Sequence, residues 1–232
     1  MKKIIVTTSW DDGHKLDIRL ANLLKKYGIK ATFYISPQDH EYKREDLLSK
    51  NEIKNLAKDF EIGAHTMTHP HLSKIPLEKA DYEISESKKY LEKVIGRKIM
   101  SFCYPYGDYN QKIVQLVSKN NFKIARTVKR FSFEEPKKPF EMGTTFHTYK
   151  HYSEIPTISK FTKINIFALA RYTNWENSAI DLFDSCKNNS LFHLWGHAIE
   201  FEKFKEWDKL ERILSYISKR KEVLYKTNGE II

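Results

Sequence analysis

The feature that most constrains this chain is an alternation. Short apolar runs of strand character are followed by segments whose apolar residues recur every three or four positions. Lys2 to Thr8 reads as a buried strand. Leu16, Leu20, Leu23, Leu24 and Tyr27 then fall at helical spacing, with Gly28 as a stop. Lys30 to Ile35 reads as the next strand. A strand–helix–strand unit favours a parallel sheet, because the helix carries the chain back to start a second strand in the same direction. The pattern repeats. Leu47, Leu48, Ile53, Leu56 and Ala57 suggest a helix, and Phe60 to Ala64 a strand. After Pro76, Leu77, Ala80, Ile84, Leu91 and Val94 mark a long amphipathic helix that stops near Gly96. Ile99 to Cys103 is a strand, Ile113, Leu116 and Val117 mark a helix, and Phe122 to Val128 is another strand.

Beyond this point the pattern loosens. Phe131 to Lys138 is polar and reads as loop, Glu141 to Thr148 as a strand, and Ser159 to Ser185 as a helix. After the turn signal Asn188-Asn189, Ser190 to Gly196 is a strand. Phe204, Trp207, Leu210, Ile213, Leu214 and Ile217 form a helix face, and Glu222 to Thr227 a closing strand. Such alternation predicts an α/β fold, a distorted or incomplete β/α barrel, with a doubly wound open sheet as its rival. A chain of 232 residues suits one domain over 1–232, with an insertion of less regular pattern at about 131–185.

Composition narrows the partners. Lysine and arginine outnumber the acids 40 to 30, a net charge of +10. The excess is scattered lysine, and basic runs such as Lys219-Arg220-Lys221 are short. No basic stripe is interleaved with aromatics, so a solvated surface is expected and no nucleic acid. The apolar run Ile4 to Val6 is too short for a signal-peptide core, and no stretch approaches the ~20 apolar residues of a membrane span. A cytoplasmic protein without a membrane span is the expectation. Cys103 and Cys186 form no Cys-x-x-Cys pair. A disulfide between them is allowed but not implied.

Four clusters that carry chemistry fall at or just after predicted strand ends: Asp11-Asp12-Gly13, His65-Thr66-Met67-Thr68-His69, Tyr104-Pro105-Tyr106-Gly107 and His193-Leu194-Trp195-Gly196-His197. Parallel strands bring those ends together however far apart they lie in sequence. Asp11 and Asp12 cannot share one location on a continuing strand, whose neighbouring side chains face opposite ways, unless the backbone bends at Gly13. An Asp-Gly turn with solvated acids is the plain alternative. His65 and His69, four apart, can reach one metal, and a carboxylate from elsewhere completes a three-ligand site with an open position. Thr66 stands where the helical zincin motif needs Glu. A surface pair in a loop remains the alternative. His193 lies within an apolar run, where histidine is usually core, whereas His197 follows Gly196 at the strand end and is better placed for chemistry.

Taken together and in this order, the four clusters resemble the polysaccharide deacetylase, or NodB-homology, family. The likeness runs from about Ile4 to about Thr227 and leaves Phe131 to Ser185 unmatched. Ser9-Trp10-Asp11-Asp12-Gly13 stands where the family has Thr-Phe-Asp-Asp-Gly, and His65, Thr66 and His69 match its His-Ser/Thr-x-x-His motif. The resemblance implies a distorted β/α barrel, a divalent metal, commonly zinc and sometimes cobalt or nickel, and removal of an N-acetyl group from an amino sugar of a carbohydrate substrate. It implies Asp12, His65 and His69 as metal ligands, Asp11 as general base, His197 as general acid with His193 as the alternative, and the backbone N–H of Tyr106 at the oxyanion. Two departures stand out. Cys103 occupies the place of an arginine that pairs with the catalytic aspartate, with Arg126 in the next strand as a stand-in, and no acidic motif that would orient the histidine is visible. Two other readings remain: an amidohydrolase acting on a non-sugar C–N bond, and a non-catalytic carbohydrate-binding barrel, which the absent arginine would favour. Phe146, Tyr149, Tyr152, Tyr172 and Trp175 are candidates for stacking on sugar rings, or for packing.

Overall fold

The computed structural model describes residues 3–163 and 166–232. Its central strand, β1 (Ile4–Trp10), is buried from Ile5 to Trp10 on both faces. That is why its apolar run shows no alternation, as expected of a strand covered on both sides. β2 (Ala31–Ile35), β3 (Glu61–Ala64), β4 (Ser101–Cys103) and β5 (Ile124–Arg126) follow outward from β1 in chain order, all parallel. On the other side β7 (Leu191–Gly196) pairs with β1, and β6 (Phe146–His147) pairs with β7, again parallel. Neighbours that succeed each other in chain order and then return to the first strand have barrel connectivity. A doubly wound sheet would reverse its order at a switch point instead.

Residues 142–148 join the two edges. Met142 N donates to Ala125 O at 2.9 Å and Thr127 N to Met142 O at 2.8 Å. A few residues on, Thr145 N donates to His193 O at 3.0 Å and Thr148 N to Trp195 O at 2.9 Å. One irregular segment thus takes the place of a full strand, and the barrel is distorted there. The strand expected over Glu141 to Thr148 is regular only at β6, and a 3₁₀ turn spans Pro139–Glu141.

The helices form the outer layer: α1 (Asp17–Tyr27), α2 (Lys50–Leu56), α3 (Leu77–Ile95), α4 (Gln111–Lys119), α5 (Ile155–Thr162), α6 (Trp175–Asp184), α7 (Ala198–Lys203) and α8 (Trp207–Ile217). α1 buries Leu20, Ala21 and Leu24 and ends on left-handed Gly28. Burying each such leucine contributes about 1.5–3 kcal/mol. α2 opens with a reciprocal cap between Ser49 and Glu52. The single helix expected over Ser159 to Ser185 is a correction. α5 ends at left-handed Lys163, a 3₁₀ helix spans Ile166–Thr173, and the Asn174 side chain caps the start of α6. Loose apolar spacing hid these local stops. Residues 164–165 of that expectation, and Lys2 of the strand expected over Lys2 to Thr8, lie outside the described residues. The helix expected from Phe204 begins at Trp207, and α7 precedes it.

β8 (Val223–Tyr225) pairs with Ile4 to Val6 of β1, while β2 pairs with Thr8 to Trp10 on the same edge. Buried Asn228 fills the fork. Its Oδ1 accepts from Thr7 Oγ1 at 2.8 Å, its Nδ2 donates to Tyr34 Oη at 2.9 Å, and its N–H donates to Thr32 Oγ1 at 2.9 Å. This polar plug seals the amino end of the barrel, and the carboxyl end is left to open. Cys103 and Cys186 are free thiols. Among the described residues no helix is long and apolar enough to cross a membrane.

Candidate active site

Asp11, Asp12, His65, His69, Tyr106 and His197 all line one cleft of about 410 Å³ at the carboxyl ends of the strands. The backbone there is unusual. Asp12, Thr66, His69 and Tyr106 all have positive φ, at 79°, 66°, 61° and 57°. Left-handed non-glycine residues cost energy and persist where their surroundings impose them, often at functional sites. At Asp12 this resolves the problem of the paired acids. Asp11 N still donates to Gly196 O at 3.1 Å, as a strand residue would, and the chain then turns at Asp12 and Gly13, so both carboxylates face the cleft. A Cβ on Gly13 would lie 2.8 Å from Ile35 Cγ2, so the turn also needs a residue without a side chain.

Asp12, His65 and His69 meet as a triangle. The His65 and His69 Nε2 atoms are 3.2 Å apart, and each is 3.6 Å from Asp12 Oδ1. Ligands on a tetrahedral cation about 2.0–2.2 Å away stand about 3.3–3.6 Å from one another. The far side of each group is engaged in a way that leaves these atoms free. His65 Nδ1 lies 2.7 Å from Cys103 O, which makes Nδ1 the protonated nitrogen and leaves Nε2 a lone pair. Asp12 Oδ2 accepts from Tyr42 Oη at 3.0 Å, while Asp12 Oδ1 is buried without a hydrogen-bond partner among the described residues. Burial pushes the Asp12 carboxyl above its ordinary value, a cost that a cation would remove. Burial lowers both histidines, His69 to about 2, so both are neutral bases as ligands must be. Buried Glu83 of α3 holds the loop by accepting from Met67 N and Thr68 N, each at 2.9 Å.

Beside the triangle, the Arg126 guanidinium donates to Asp11 Oδ2. Burial alone would raise Asp11, but the Arg126 charge outweighs it and holds the carboxyl at about 2, so Asp11 stays ionised. Arg126 is fully buried, with its guanidinium 4.5 Å from the centre of the Trp195 ring. It occupies the chemical position of the arginine missing at Cys103, from the neighbouring strand, and it does not line the cleft. Cys103 Sγ lies 3.8 Å from the same carboxylate oxygen.

Across the cleft, His197 turns Nδ1 toward Glu200 Oε2 at 3.3 Å. The nitrogen left for the cleft is Nε2. Crowding by protein lowers the His197 pKa, but the Asp12, Glu200 and Asp11 carboxylates more than offset it and raise it to about 10. His147 Nε2 also lies 3.3 Å from Glu200 Oε2, and the His147 ring stacks on Trp195 with centroids 4.1 Å apart. Glu200 is an acid beside His197 that sequence reasoning did not find. It sits three residues after His197 on α7, a spacing that shares one helix face. His147 was missed because residues 141–148 were legible only as a strand, without its pairing.

The remaining candidates separate. His193 does not reach the cleft. It is fully buried, its Nε2 lies 2.8 Å from Ser9 Oγ, and burial lowers it to about 3. It lies three residues before the strand end at Gly196 and does not line the cleft. The Tyr106 ring stacks on His71 at 4.0 Å between centroids, and its hydroxyl donates to Glu41 Oε1 at 2.6 Å. Of the aromatics proposed for stacking, Phe146, Tyr172 and Trp175 are buried packing residues, and Trp175 Nε1 donates to Glu206 Oε2 at 2.7 Å. Tyr152 is exposed, but it does not line the cleft.

Comparison with known proteins gives a consistent result. The family model described as polysaccharide deacetylase matches residues 1–125. A peptidoglycan-N-acetylglucosamine deacetylase of Bacillus cereus is 26% identical over 127 residues, 53% of this chain and 44% of that protein. A solved polysaccharide deacetylase from Bacillus cereus is 29% identical, with a TM-score of 0.51, over 59% of this chain and 45% of that one. The Xyl-CE4 domain of a multidomain xylanase from the hindgut metagenome of Trinervitermes trinervoides is 15% identical, with a TM-score of 0.62, over 100% of this chain and 90% of that one. This last likeness concerns the fold. The chain spans less than half the length of the curated relatives it matches, 41%, 44% and 23% for three of them.

Proposed function

Because the chain belongs to the polysaccharide deacetylase family, we propose that it is a metal-dependent hydrolase that removes the N-acetyl group from an amino sugar, with one catalytic domain spanning the chain. The observation that carries this reading is the Asp12–His65–His69 triangle, with edges of 3.2 and 3.6 Å, beside an ionised Asp11 and facing His197 in one cleft. The buried, unpaired Asp12 Oδ1 and two neutral imidazoles fit a divalent cation, zinc best for this donor set and cobalt or nickel next. Held there, the ion would polarise an amide carbonyl and make a water molecule more acidic.

The chain's own residues do the rest. Asp11 takes a proton from the attacking water. Arg126 keeps Asp11 charged and fixes which carboxylate oxygen faces the cleft. His197 carries a proton on Nε2 and gives it to the departing nitrogen, without which the tetrahedral carbon would expel water and return to amide. Glu200 holds the imidazole in the matching tautomer. Left-handed Tyr106 carries its backbone N–H at the rim, where it serves as an oxyanion donor.

The test is acetate release from chitin oligomers by the purified protein, with and without a chelator. Release abolished by the chelator and by Asp11→Asn supports the reading. Sugar binding with no release, unchanged by Asp11→Asn, would leave a binding barrel. Release from non-sugar amides but not from amino sugars would move the substrate class.

A further inference from the structure

Glu200 Oε2 sits 3.3 Å from both His147 Nε2 and His197 Nδ1. None of these three atoms makes a directed hydrogen bond among the described residues, and all three are buried. The three ligand atoms lie within 4.8 Å of one another. His147 is only 7% exposed. Its other nitrogen, Nδ1, lies 2.9 Å from His151 Nε2. When that contact is an Nδ1–H donated to His151, His147 presents a bare lone pair on Nε2 to a carboxylate oxygen. Two electron-rich atoms facing each other at this distance call for a cation between them, either a proton or a metal ion. Both separations from Glu200 Oε2, 3.3 Å each, match the ~3.3–3.6 Å spacing of ligands around a tetrahedral ion, and two imidazoles with one carboxylate are a donor set suited to zinc.

We propose that His147, His197 and Glu200 form a second divalent-cation site in the cleft, distinct from the Asp12, His65 and His69 triangle. His151 acts as its outer partner by fixing the His147 tautomer. On binding, any proton held on His147 Nε2 or His197 Nδ1 passes to solvent, and each nitrogen donates its lone pair to the ion. Occupancy has a consequence for the acid. An imidazole with metal on Nδ1 still carries its Nε2 proton, but releasing it would leave an imidazolate in place of a neutral imidazole, so it donates that proton less readily. The second site therefore opposes catalysis when metal is in excess, and it does so through residues that share none of the first site's ligands.

The experiment is equilibrium dialysis of the full chain against zinc ion alone, with elemental analysis and a melting curve for each variant. Wild type is expected to take up two equivalents, the second at least tenfold weaker. His147→Gln and Glu200→Gln are each expected to hold one, and Asp12→Asn to lose the tight equivalent while keeping the weaker one. A single equivalent in wild type at saturating zinc overturns the proposal, as does a second equivalent that survives in both His147→Gln and Glu200→Gln. Should those variants melt at room temperature, anomalous scattering from wild-type crystals grown in excess zinc decides: a peak among the three atoms supports the site, and its absence overturns it. Failure here leaves the first site and the deacetylase reading untouched, because the readout is bound metal and the two sites are counted separately.

Discussion

The two walls of the cleft are built differently. On the cation wall, every donor comes from a short motif at a strand end: Asp12 after β1, and His65 and His69 after β3. On the acid wall, His197 and Glu200 lie three residues apart at the start of α7, and His147 of β6 reaches them only through tertiary pairing. The cation wall is held by hydrogen bonds from neighbouring elements, α3 and β4. Glu83 pins its loop, and Cys103 O fixes the tautomer of His65. The acid wall depends on one carboxylate shared by two imidazoles. On the proposed reading, the difference predicts that metal binding and proton delivery can be disturbed separately.

The largest expected effect tests that separation. Asp12→Asn or His65→Gln should remove the tight metal and lower acetate release by at least about 10³-fold, since a catalytic cation supplies several kcal/mol of transition-state stabilisation. His197→Ala should lower kcat by about 10²–10⁴-fold while metal analysis still finds the tight equivalent. If His197→Ala also strips that equivalent, the two walls are one unit and the comparison breaks.

Arg126→Met comes next. It leaves Asp11 buried without its partner, and such a loss costs about 3–5 kcal/mol. Asp11 is held at about 2, below its ordinary 3.8. Its ionisation therefore stabilises the folded protein above about pH 4, and that contribution is lost as pH falls towards about 2. Urea denaturation of the chelated proteins should show the wild-type advantage shrinking over this window. An advantage constant from pH 5 to pH 2 would mean the pair is not what Arg126 contributes.

Glu200→Gln should act more mildly, with about a 10–100-fold loss that grows with pH. His197 is raised to about 10, so it keeps its proton below that value and loses it as pH rises through it. Removing the Glu200 charge lowers that pKa, and the alkaline limb of the kcat/KM profile should move to lower pH. The smallest effect is at His193. His193→Gln disturbs the contact with Ser9 and should cost about 1–3 kcal/mol in a denaturant titration, with acetate release within a few-fold of wild type.

The same contrast explains what could be read in advance. From β1 to β5 the parallel strands are short apolar runs, so the alternation, the barrel and the clusters at the strand ends were legible in the linear pattern. Arg126 was visible only as a guess, because its partner Asp11 is 115 residues away. His147 was invisible because its place depends on register, His147 opposite Trp195, which no local period encodes. Residues 142–148 pair with β5 at one end and β7 at the other, a distortion that the plain strand expected over Glu141 to Thr148 does not reveal. Glu200 was within reach, since a helix starting just after His197 brings the third residue back over it.

The most direct test of the whole account is an anomalous-scattering map of the purified protein at a metal absorption edge. The account predicts a peak about 2.0–2.2 Å from Asp12 Oδ1, His65 Nε2 and His69 Nε2. No peak at stoichiometric metal, or one held by other side chains such as Asp39 and Glu41 in place of Asp12, would contradict it.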